Sequence, residues 1–489
     1  MDNDGSYRKV TEGRATLLYP ETEEVFYNPI QQFNRDISVL GIKAWTSIYR
    51  QTKKRKRDET GNDEPFINII EGLAASGLRS CRYAKEIPLI KKVVANDLSP
   101  SAVEAIKRNA KYNEVQDIVE AHQGDANAVM WLHKQTPVHV VDLDPYGTAA
   151  PFIDAALQAV TNNGIMLVTC TDLAVLAGNS YPEKCFSLYG GTTVRNDATH
   201  ESALRLLLNL VATTAARYGK TIEPLLSLSI DYYVRCFIQV KKSPVAVKQN
   251  IGKSSTVYTC TGCKTTHIQP LGSVKEQNGN FKFGYAKGPV VGTTCEFCES
   301  PLHIAGPLWT GPLHSKEYVS KMLELVELLD QNIYPTAPRI KGMLTLVNQE
   351  IETPFYVSPS NMSSIVRAPV PPLQKFVSAI YNGGYKASLT HAKAGCIKTD
   401  APYSFLWDTV KAWAKETGTG KPNPDAPGAK IMSQPPQHEI SFEINASAEH
   451  IETLRKSKLV RFPMNPRPEW GPMSKPNNKK KASSNEIEL

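Results

Sequence analysis

Residues 66–77 read FINIIEGLAASG, and they are the part of the chain from which the fold class is most readily predicted. Its first five residues are apolar apart from Asn68, which is typical of a buried parallel strand. The small residues that follow allow a tight turn and a close approach of the backbone to a ligand. A glycine pair is weak evidence alone, and Ala74-Ala75 replace the middle glycine of the dinucleotide fingerprint. The stretch therefore predicts a strand and a ligand-binding loop of another kind.

Strands and helices alternate beyond this loop. The segments predicted as strands are 66–70, 91–96, 138–143 and 165–170, with further β structure over 225–240. The predicted helices are one from Pro100 with Ser99 as its N-cap, one over 152–160 that Asn162-Asn163-Gly164 stop, and one around 321–329. This alternation predicts a mostly parallel sheet with helices on both faces, which binds ligands at the carboxyl ends of its strands.

The length and texture of the chain predict its domains. Because 489 residues are too many for one ordinary core, we expect two domains and appendages. The texture changes near residue 240, which separates an α/β domain, 1–240, from an α+β domain, 241–462. Residues 51–64 form a basic, hydrophilic loop, interpreted either as a solvated insertion or as a nuclear import signal. Residues 463–489 are rich in Pro, Asn and Lys and are expected to be a disordered tail.

Composition and charge narrow the class of protein. The hydrophobic content of 41% and the charged content of 21% are typical of a soluble globular protein, and no apolar run is long enough to span a membrane. The formal net charge of +8 suits a polyanionic partner without proving one. Five scattered cysteines, four of them in apolar or small-residue stretches, indicate buried thiols in a reducing compartment.

Two acidic residues at the ends of predicted strands indicate a nucleoside cofactor. Asp97 ends the second strand, where its carboxylate can accept both hydroxyl groups of a ribose. Asp125, beside Ala126, follows the third sheet segment and can accept the exocyclic amine of adenine. Because the sequence has no lysine-bearing phosphate loop, these anchors favour S-adenosylmethionine over ATP or NAD. The alternative is that both aspartates only cap helices.

The chemistry is predicted to lie at Asp144-Pro145-Tyr146-Gly147, directly after the strand over 138–143. An exocyclic aromatic amine is a poor nucleophile because its lone pair is delocalised into the ring. A carboxylate that accepts one N–H stabilises the positive charge that develops as the nitrogen is methylated. Asp144 is the candidate for this role, Pro145 fixes the turn, and Tyr146 offers a face for an extruded base. The alternative is an ordinary turn, since all four residue types favour turns.

With these motifs the chain resembles the tRNA guanine-26 N2-dimethyltransferase family. The matching segments are Val25 to Pro29, Asn34-Arg35-Asp36, 71–80, 96–99, 142–147, 384–388, His391 and 398–402. The resemblance implies a class I, Rossmann-like methyltransferase domain and a family-specific C-terminal domain. It also implies two successive methyl transfers from S-adenosylmethionine to N2 of guanine 26 in tRNA, which give N2,N2-dimethylguanosine.

The resemblance also implies roles for individual residues. It makes Asp144 the catalytic aspartate and adds Arg35 and Arg79 to the cofactor site, where guanidinium groups could pair with the methionine carboxylate. The full set expected at the cofactor is Arg35, Glu71, Gly72, Ser76, Gly77, Arg79, Asp97, Asp125 and Ala126. Many relatives have Phe in place of Tyr146, and either ring can stack on a base.

Two cysteine pairs predict a metal site in the C-terminal domain. Cys260-x-x-Cys263 and Cys295-x-x-Cys298 can each supply two thiolates, and together they complete a tetrahedral, structural zinc site. Residues 272–292, between the pairs, are predicted to form a hairpin insertion. An iron–sulfur cluster is the alternative to zinc.

RNA contact is expected on the basic C-terminal half, where cations can bind phosphates and rings can pack on RNA. The candidates are Lys386, His391, Lys393 and Lys398, together with Tyr381, Tyr385 and Tyr403. The alternative is a solvated basic face. We expect a monomer with tRNA as its partner, located in the nucleus, with a mitochondrial pool as a second location. Two other functions stay open: an exocyclic-amine DNA methyltransferase and a non-catalytic tRNA-binding protein.

Overall fold

The computed structural model describes residues 7–20, 27–54, 64–178 and 180–462. Most of the basic loop predicted at 51–64, part of the leader motif at 25–29, and the tail at 463–489 therefore lie outside the described residues. Within the described ranges, no helix combines the length and the apolar character that crossing a membrane requires.

Strands and helices alternate along most of the described chain. The strands are β1 (Tyr7–Glu12), β2 (Ala15–Pro20), β3 (Ile67–Glu71), β4 (Ile90–Asp97), β5 (Val119–Gln123), β6 (Val138–Leu143), β7 (Val160–Cys170), β8 (Lys220–Ile230), β9 (Tyr233–Lys242), β10 (Ser254–Cys260), β11 (Thr266–Pro270), β12 (Gly272–Gln277), β13 (Asn280–Tyr285), β14 (Leu302–Trp309), β15 (Ala387–Leu389) and β16 (Ile397–Thr399). The α-helices are α1 (Gln32–Lys54), α2 (Leu78–Glu86), α3 (Pro100–Tyr112), α4 (Ala126–Leu132), α5 (Ile153–Ala159), α6 (Leu173–Leu176), α7 (Pro182–Tyr189), α8 (Thr199–Ala216), α9 (Pro244–Gln249), α10 (Lys316–Val326), α11 (Ala337–Gln349), α12 (Pro359–Ile365), α13 (Leu373–Asn382), α14 (Tyr403–Glu416), α15 (Pro427–Ser433) and α16 (Glu449–Lys456).

Seven strands form the central sheet, in the order β5-β4-β3-β6-β7-β9-β8. The strands from β5 to β7 pair in parallel, and β9 runs antiparallel between β7 and β8. Ile67, Ile69 and Ile70 of β3 have no exposed surface, because helices cover both faces of the sheet. The predicted α/β class is confirmed, and the order places the end of β6 beside the loop after β3.

The structure confirms a helix at the place predicted over 152–160 and corrects the residues that end it. Helix α5 ends at Ala159, and Asn162-Asn163-Gly164 do not stop it, because they lie inside β7. Asn163 has a φ of +66°, and the pairing of β6 with β7 shifts register there. Residues typical of a turn therefore form a bulge within a strand, between the paired residues Val160 and Ile165.

The C-terminal part is smaller and mixed. It holds a three-stranded sheet, β11-β10-β14, the two-stranded β15–β16 sheet, and the β12–β13 hairpin at the place predicted for an insertion. Part of it packs against the α/β domain, because Tyr318 and Met322 of α10 belong to the same buried apolar cluster as Trp45 of α1. The Tyr318 hydroxyl also donates to the Gly41 carbonyl at 2.8 Å. The two halves of the chain are therefore packed together through α1 and α10.

Candidate active site and metal centre

The carboxyl ends of β3, β4, β5 and β6 bring the predicted cofactor residues to one edge of the sheet. Backbone hydrogen bonds join the loops there: Gly72 N donates to the Asp142 carbonyl at 3.0 Å, and Ala74 N donates to the Asn96 carbonyl at 2.7 Å. The Asn96 side chain then donates to the carbonyls of Gly72 at 2.9 Å and Gly124 at 3.0 Å. The loops after three strands are thus held as one surface.

The loop at 71–77 leaves little space for a side chain at Gly72 or Gly77. A Cβ added at Gly72 would lie 3.3 Å from the Leu143 side chain and 3.8 Å from the Ala126 Cβ, so it would fill the gap between these elements. Gly77, at the start of α2, has a φ of +73°, a conformation that favours glycine. The loop therefore forms a backbone-lined cradle beside the start of α4.

The two acidic anchors already accept backbone hydrogen bonds. Asp97 accepts from Ala75 N at 2.9 Å and from Ser99 N at 3.0 Å. Asp125 Oδ1 accepts from Ala128 N at 3.0 Å and caps α4, as the alternative interpretation predicted. Capping uses one oxygen of Asp125, so it does not exclude a ligand on the other. Ser99 occupies the N-cap position of α3, but its side chain makes no capping bond.

The turn after β6 is anchored and open. Gly147 has a φ of +81° and exchanges hydrogen bonds of 2.8 Å with Thr171, which follows β7. The Tyr146 side chain is 75% exposed, so its ring is accessible to a ligand. The Asp144 side chain is 20% exposed, and its Oδ2 pairs with the Arg79 guanidinium. Within the described part of the chain, Asp144 Oδ1 has no hydrogen-bond partner, which leaves it available to a substrate amine.

Arg79 lies among carboxylates and is only 6% exposed. Besides Asp144, it approaches Asp142 at 3.5 Å and Glu71 at 3.4 Å. It also donates to the Ser38 hydroxyl at 3.2 Å. In this structure Arg79 therefore fixes the acidic residues at the edge of the sheet, and its pairing with a cofactor carboxylate stays a prediction.

The sequence analysis missed a second arginine behind this site. Arg235 of β9 donates to Asp142 at 2.8 Å, to Thr169 of β7 at 2.9 Å and to Ser38 of α1 at 2.7 Å, and the Tyr83 hydroxyl also donates to Asp142. Asp142 carried a signal, since an aspartate inside an apolar strand needs a cationic partner. No local pattern could identify that partner, which lies 93 residues away.

Burial and neighbouring charges shift the pKa values of Glu71 and Asp142 in opposite directions. Burial raises the pKa of Glu71 to about 8, although Arg79 opposes the shift. Burial also disfavours ionisation of Asp142, yet Arg235 and Arg79 hold its pKa below the ordinary value. Near pH 7 Glu71 is therefore mostly protonated, and Arg235 and Arg79 face the ionised Asp142.

Arg35 is buried and paired, not an exposed charge on a leader helix. Its Nε and Nη2 donate to the two oxygens of Glu12 at 2.6 and 2.5 Å, and Nη2 also reaches the Asn28 carbonyl at 3.0 Å. Arg82 donates to the same Glu12 at 2.7 Å. The pairing leaves Nη1 of Arg35 as the group that a ligand carboxylate could still engage.

The four paired cysteines converge as predicted. Their sulfurs lie within 4.8 Å of one another, with Cys260 and Cys298 at 3.2 Å and Cys263 and Cys295 at 3.6 Å. These separations are too long for a disulfide and close to the roughly 3.8 Å between sulfurs of a tetrahedral zinc site with ~2.3 Å bonds. The donor set therefore fits a structural zinc ion.

Each cysteine pair is shaped by a left-handed residue directly after its second cysteine. Lys264 has a φ of +62° and Glu299 a φ of +60°. Cys263 N also donates to the Cys260 sulfur at 3.4 Å. The two turns thus point their thiols toward one centre. The five other cysteines are all buried, as their surroundings in the sequence predicted.

Two of the predicted RNA contacts are wrong. His391 is 4% exposed and Lys398 is 1% exposed, and both contact Glu350, at 2.6 and 3.6 Å. Burial takes them away from any RNA surface, because each neutralises a carboxylate inside the protein. Lys386 and Lys393 are exposed as expected.

His314, Glu350 and His391 also lie close enough together to hold a metal ion. However, His391 Nε2 accepts from Ser229 N and His314 Nδ1 accepts from Ser227 N, both at 3.2 Å. With Lys398 beside Glu350 as well, we interpret the group as a buried charge cluster.

Several known proteins are similar to this chain in sequence, and a solved structure is similar to it in fold. The model of the N2,N2-dimethylguanosine tRNA methyltransferase family matches residues 5–411. The mitochondrial tRNA (guanine(26)-N(2))-dimethyltransferase of Saccharomyces cerevisiae is 46% identical, over 96% of this chain and 92% of that protein. The tRNA (guanine(26)-N(2))-dimethyltransferase of Homo sapiens is 36% identical, over 95% of this chain and 77% of that protein.

A solved structure gives the same result. Trm1 from Pyrococcus horikoshii, in complex with S-adenosyl-L-methionine, has a TM-score of 0.66 and 27% identity, and the match covers 82% of this chain and 99% of that one. The resemblance seen in the sequence motifs is therefore confirmed. The chain belongs to the N2,N2-dimethylguanosine tRNA methyltransferase family.

Proposed function

We propose that this protein transfers two methyl groups from S-adenosylmethionine to N2 of guanine 26 in tRNA, giving N2,N2-dimethylguanosine. One observation carries the proposal: Asp144 lies at the carboxyl edge of the sheet with Oδ2 on Arg79 and Oδ1 available. Family membership supports the same reaction, because the relatives are named for it. A non-catalytic tRNA-binding protein would have no use for such a carboxylate.

The cofactor would lie over the glycine cradle. The backbone of Gly72 to Gly77 would face it, with Glu71 behind the loop and the carboxylates of Asp97 and Asp125 toward its ribose and adenine. Ala126, which lies beside Gly72, would keep the wall next to the adenine small. Nη1 of Arg35 is the group suited to the methionine carboxylate. When bound, the sulfonium supplies an activated methyl group.

The protein's part in the reaction is to prepare the guanine amine. Asp144 Oδ1 would accept one N–H of the amine, which directs the nitrogen lone pair toward the methyl carbon and stabilises the developing positive charge. Arg79 keeps Asp144 oriented by holding its other oxygen. Tyr146, which is exposed, would stack on the extruded base, and Pro145 holds the turn rigid.

The same geometry accounts for two transfers. After the first methylation the nitrogen still carries one N–H, which Asp144 can accept again. After the second transfer and loss of the proton, no N–H remains, so the carboxylate has nothing left to accept. The amine chemistry therefore supports dimethylguanosine as the end product.

The remaining assignments concern the rest of the chain. We infer that residues 1–240 carry the chemistry and 241–462 bind tRNA, with a structural zinc ion on Cys260, Cys263, Cys295 and Cys298. Four thiolates leave no open position on the metal, so it would stabilise the fold around β10 and β14. For location we propose the nucleus and the mitochondrion, and the mitochondrial relative supports the second.

The decisive test is nucleoside analysis. Unmodified tRNA is incubated with the protein and labelled S-adenosylmethionine, digested, and analysed by mass spectrometry. We expect N2,N2-dimethylguanosine from a transcript with guanine 26 and none from a matched transcript with adenine 26. Methylation of duplex DNA but not of tRNA would favour the DNA methyltransferase instead. Methylation of neither, with tRNA still bound, would favour a non-catalytic protein.

A further inference from the structure

A cavity separate from the proposed cofactor site lies at the same edge of the sheet as Asp144. It has a volume of about 330 Å³, which lies in the usual range of ligand sites of roughly 300–1,000 Å³. Its walls come from the end of β8, the start of α8, the loop after β15 and the last described residues. We call it the edge cleft, and the lining residues used here are Asp197, Ser229, Asp231, Arg339, Lys393 and Arg461.

Strand order places the edge cleft near the candidate catalytic turn. Because β9 is antiparallel to both β7 and β8, β8 ends at the same edge of the sheet as β6. Strands β6 and β8 are three positions apart, which at ~4.8 Å per strand is roughly 14 Å. That separation is too long for the base that meets Asp144 and suits the sugar–phosphate backbone next to it.

The walls of the cleft are rigid. Asp231 accepts two hydrogen bonds from Arg339, at 2.9 and 2.8 Å, so its charge is neutralised. The Ser229 backbone is fixed by its hydrogen bond to His391, which Glu350 holds from behind. Hydrogen bonds therefore hold these two walls of the cleft in place.

Two cations in the cleft, Lys393 and Arg461, form no direct ion pair among the described residues, although Glu350 acts on Arg461 from a longer distance. Within the described residues Lys393 forms no ion pair and is exposed. Arg461 donates through Nη2 only to the carbonyls of Thr390 at 2.9 Å and His391 at 2.7 Å, and its Nε is buried without a partner. Asp197 is the one lining acid not paired with an arginine or lysine. The lining therefore carries a net positive charge, which favours an anion.

We propose that the edge cleft binds a phosphodiester group of the RNA next to the nucleotide whose guanine reaches Asp144. The inference rests on the proposed function and deepens it, since it names the part of the substrate that holds the target nucleotide in register. Lys393 supplies the mobile charge and Arg461 the fixed one. The contact carries no sequence information, so it would serve every tRNA substrate alike.

The test uses Lys393, because an exposed lysine can be changed without disturbing the core. The variants are Lys393→Ala, Lys393→Glu and Lys393→Arg in the full chain, and the matched control is Lys91→Glu at the amino end of β4, on the opposite edge of the sheet. For each we measure the Kd of tRNA across a salt series, KM and kcat for tRNA, and the Kd of S-adenosylmethionine.

We expect Lys393→Ala to raise the Kd and KM for tRNA about threefold to tenfold and to reduce the salt slope by about 0.7–0.9. Lys393→Glu should weaken binding further and Lys393→Arg should restore it. The kcat at saturating tRNA and the Kd of S-adenosylmethionine should match wild type in all variants, and Lys91→Glu should behave as wild type.

Wild-type tRNA affinity and salt slope in Lys393→Glu would overturn the proposal, as would a loss confined to kcat. Failure of the proposed function gives a different result, because then the wild type itself would not methylate tRNA in the same assay. Binding by the variants would still decide whether the cleft contacts RNA.

Discussion

We call the side chains around Asp142, Asp144 and Arg79, at the carboxyl edge of the central sheet, the catalytic edge. The catalytic edge and the four-cysteine cluster are both largely buried, but they are assembled in opposite ways. The cysteine cluster is built from two turns of four residues, and each turn brings two ligands within reach of one ion. The catalytic edge joins side chains from α1, α2, β3, β6 and β9, separated by up to 197 residues. The first is a local arrangement that the proposed zinc ion would complete, and the second is a charge network that only the packed sheet completes.

The prediction with the greatest effect concerns Asp144 of the catalytic edge. Asp144→Ala removes the acceptor for the guanine amine, so kcat should fall about 10³-fold, or roughly 4 kcal/mol in the barrier. Binding of tRNA should be retained. The measurement is single-turnover methylation of tRNA together with its Kd.

The control for Asp144→Ala is Asp117→Ala, which makes the same change at an exposed position before β5, on the opposite edge of the sheet. It should keep wild-type rates. Unchanged product formation in Asp144→Ala would remove Asp144 from the mechanism.

The second effect falls on the cysteine cluster and concerns stability instead of chemistry. Cys295→Ala removes one ligand, so the protein should lose its bound zinc and roughly 3–5 kcal/mol of unfolding free energy. Elemental analysis and chemical denaturation measure the two quantities. Cys185→Ala is the matched control, because it truncates an equally buried cysteine outside the cluster. One zinc per chain retained in Cys295→Ala would contradict the four-cysteine site.

The third effect tests the charge balance of the catalytic edge. Since burial raises the pKa of Glu71 to about 8 from an ordinary 4.5, the folded protein keeps a proton that the unfolded chain releases. The stability from this group is fully present below pH 4.5 and is lost as the pH rises through about 8.

The side-chain amide in Glu71→Gln does not ionise, so the variant should not lose stability as the pH rises through about 8. Between pH 5 and 8.5 the variant should gain on the order of 3 kcal/mol relative to wild type. Chemical denaturation across the pH series measures it, with the exposed Glu104→Gln as control. Parallel curves for wild type and Glu71→Gln would show that Glu71 is ionised in the folded state.

The smallest effect sharpens the role of the exposed ring. Tyr146→Ala should raise KM for tRNA about tenfold, since stacking of a base on an aromatic ring is worth about 1–3 kcal/mol. Tyr146→Phe should retain wild-type values because the ring remains. Steady-state kinetics distinguish the two. Equal losses in both variants would assign the effect to the hydroxyl group and exclude stacking as the main contribution.

The positions that sequence reasoning predicted correctly, at the edge of the sheet and in the cysteine cluster, are those defined by neighbours in the chain. The loop at 71–77, the turn at Asp144 and the cysteine pairs each combine residue types whose local geometry already suits their task. The helix stop at Asn162-Asn163-Gly164 was wrong because the chain is already extended at Val160, which pairs with Val138 of β6. The three residues lie in the bulge that follows, where turn-forming residues fit.

Periodicity and spacings of a few residues were enough to predict the parallel sheet, the cradle after its first strand, the carboxylate after β6 and the paired thiols. Only the tertiary structure decided which charges meet. It placed Arg235 on Asp142, buried His391 and Lys398 against Glu350, and left Lys393 without an ion pair to any described residue in the edge cleft. Burial makes an unpaired charge too costly, and pairing across a fold depends on which strands lie side by side.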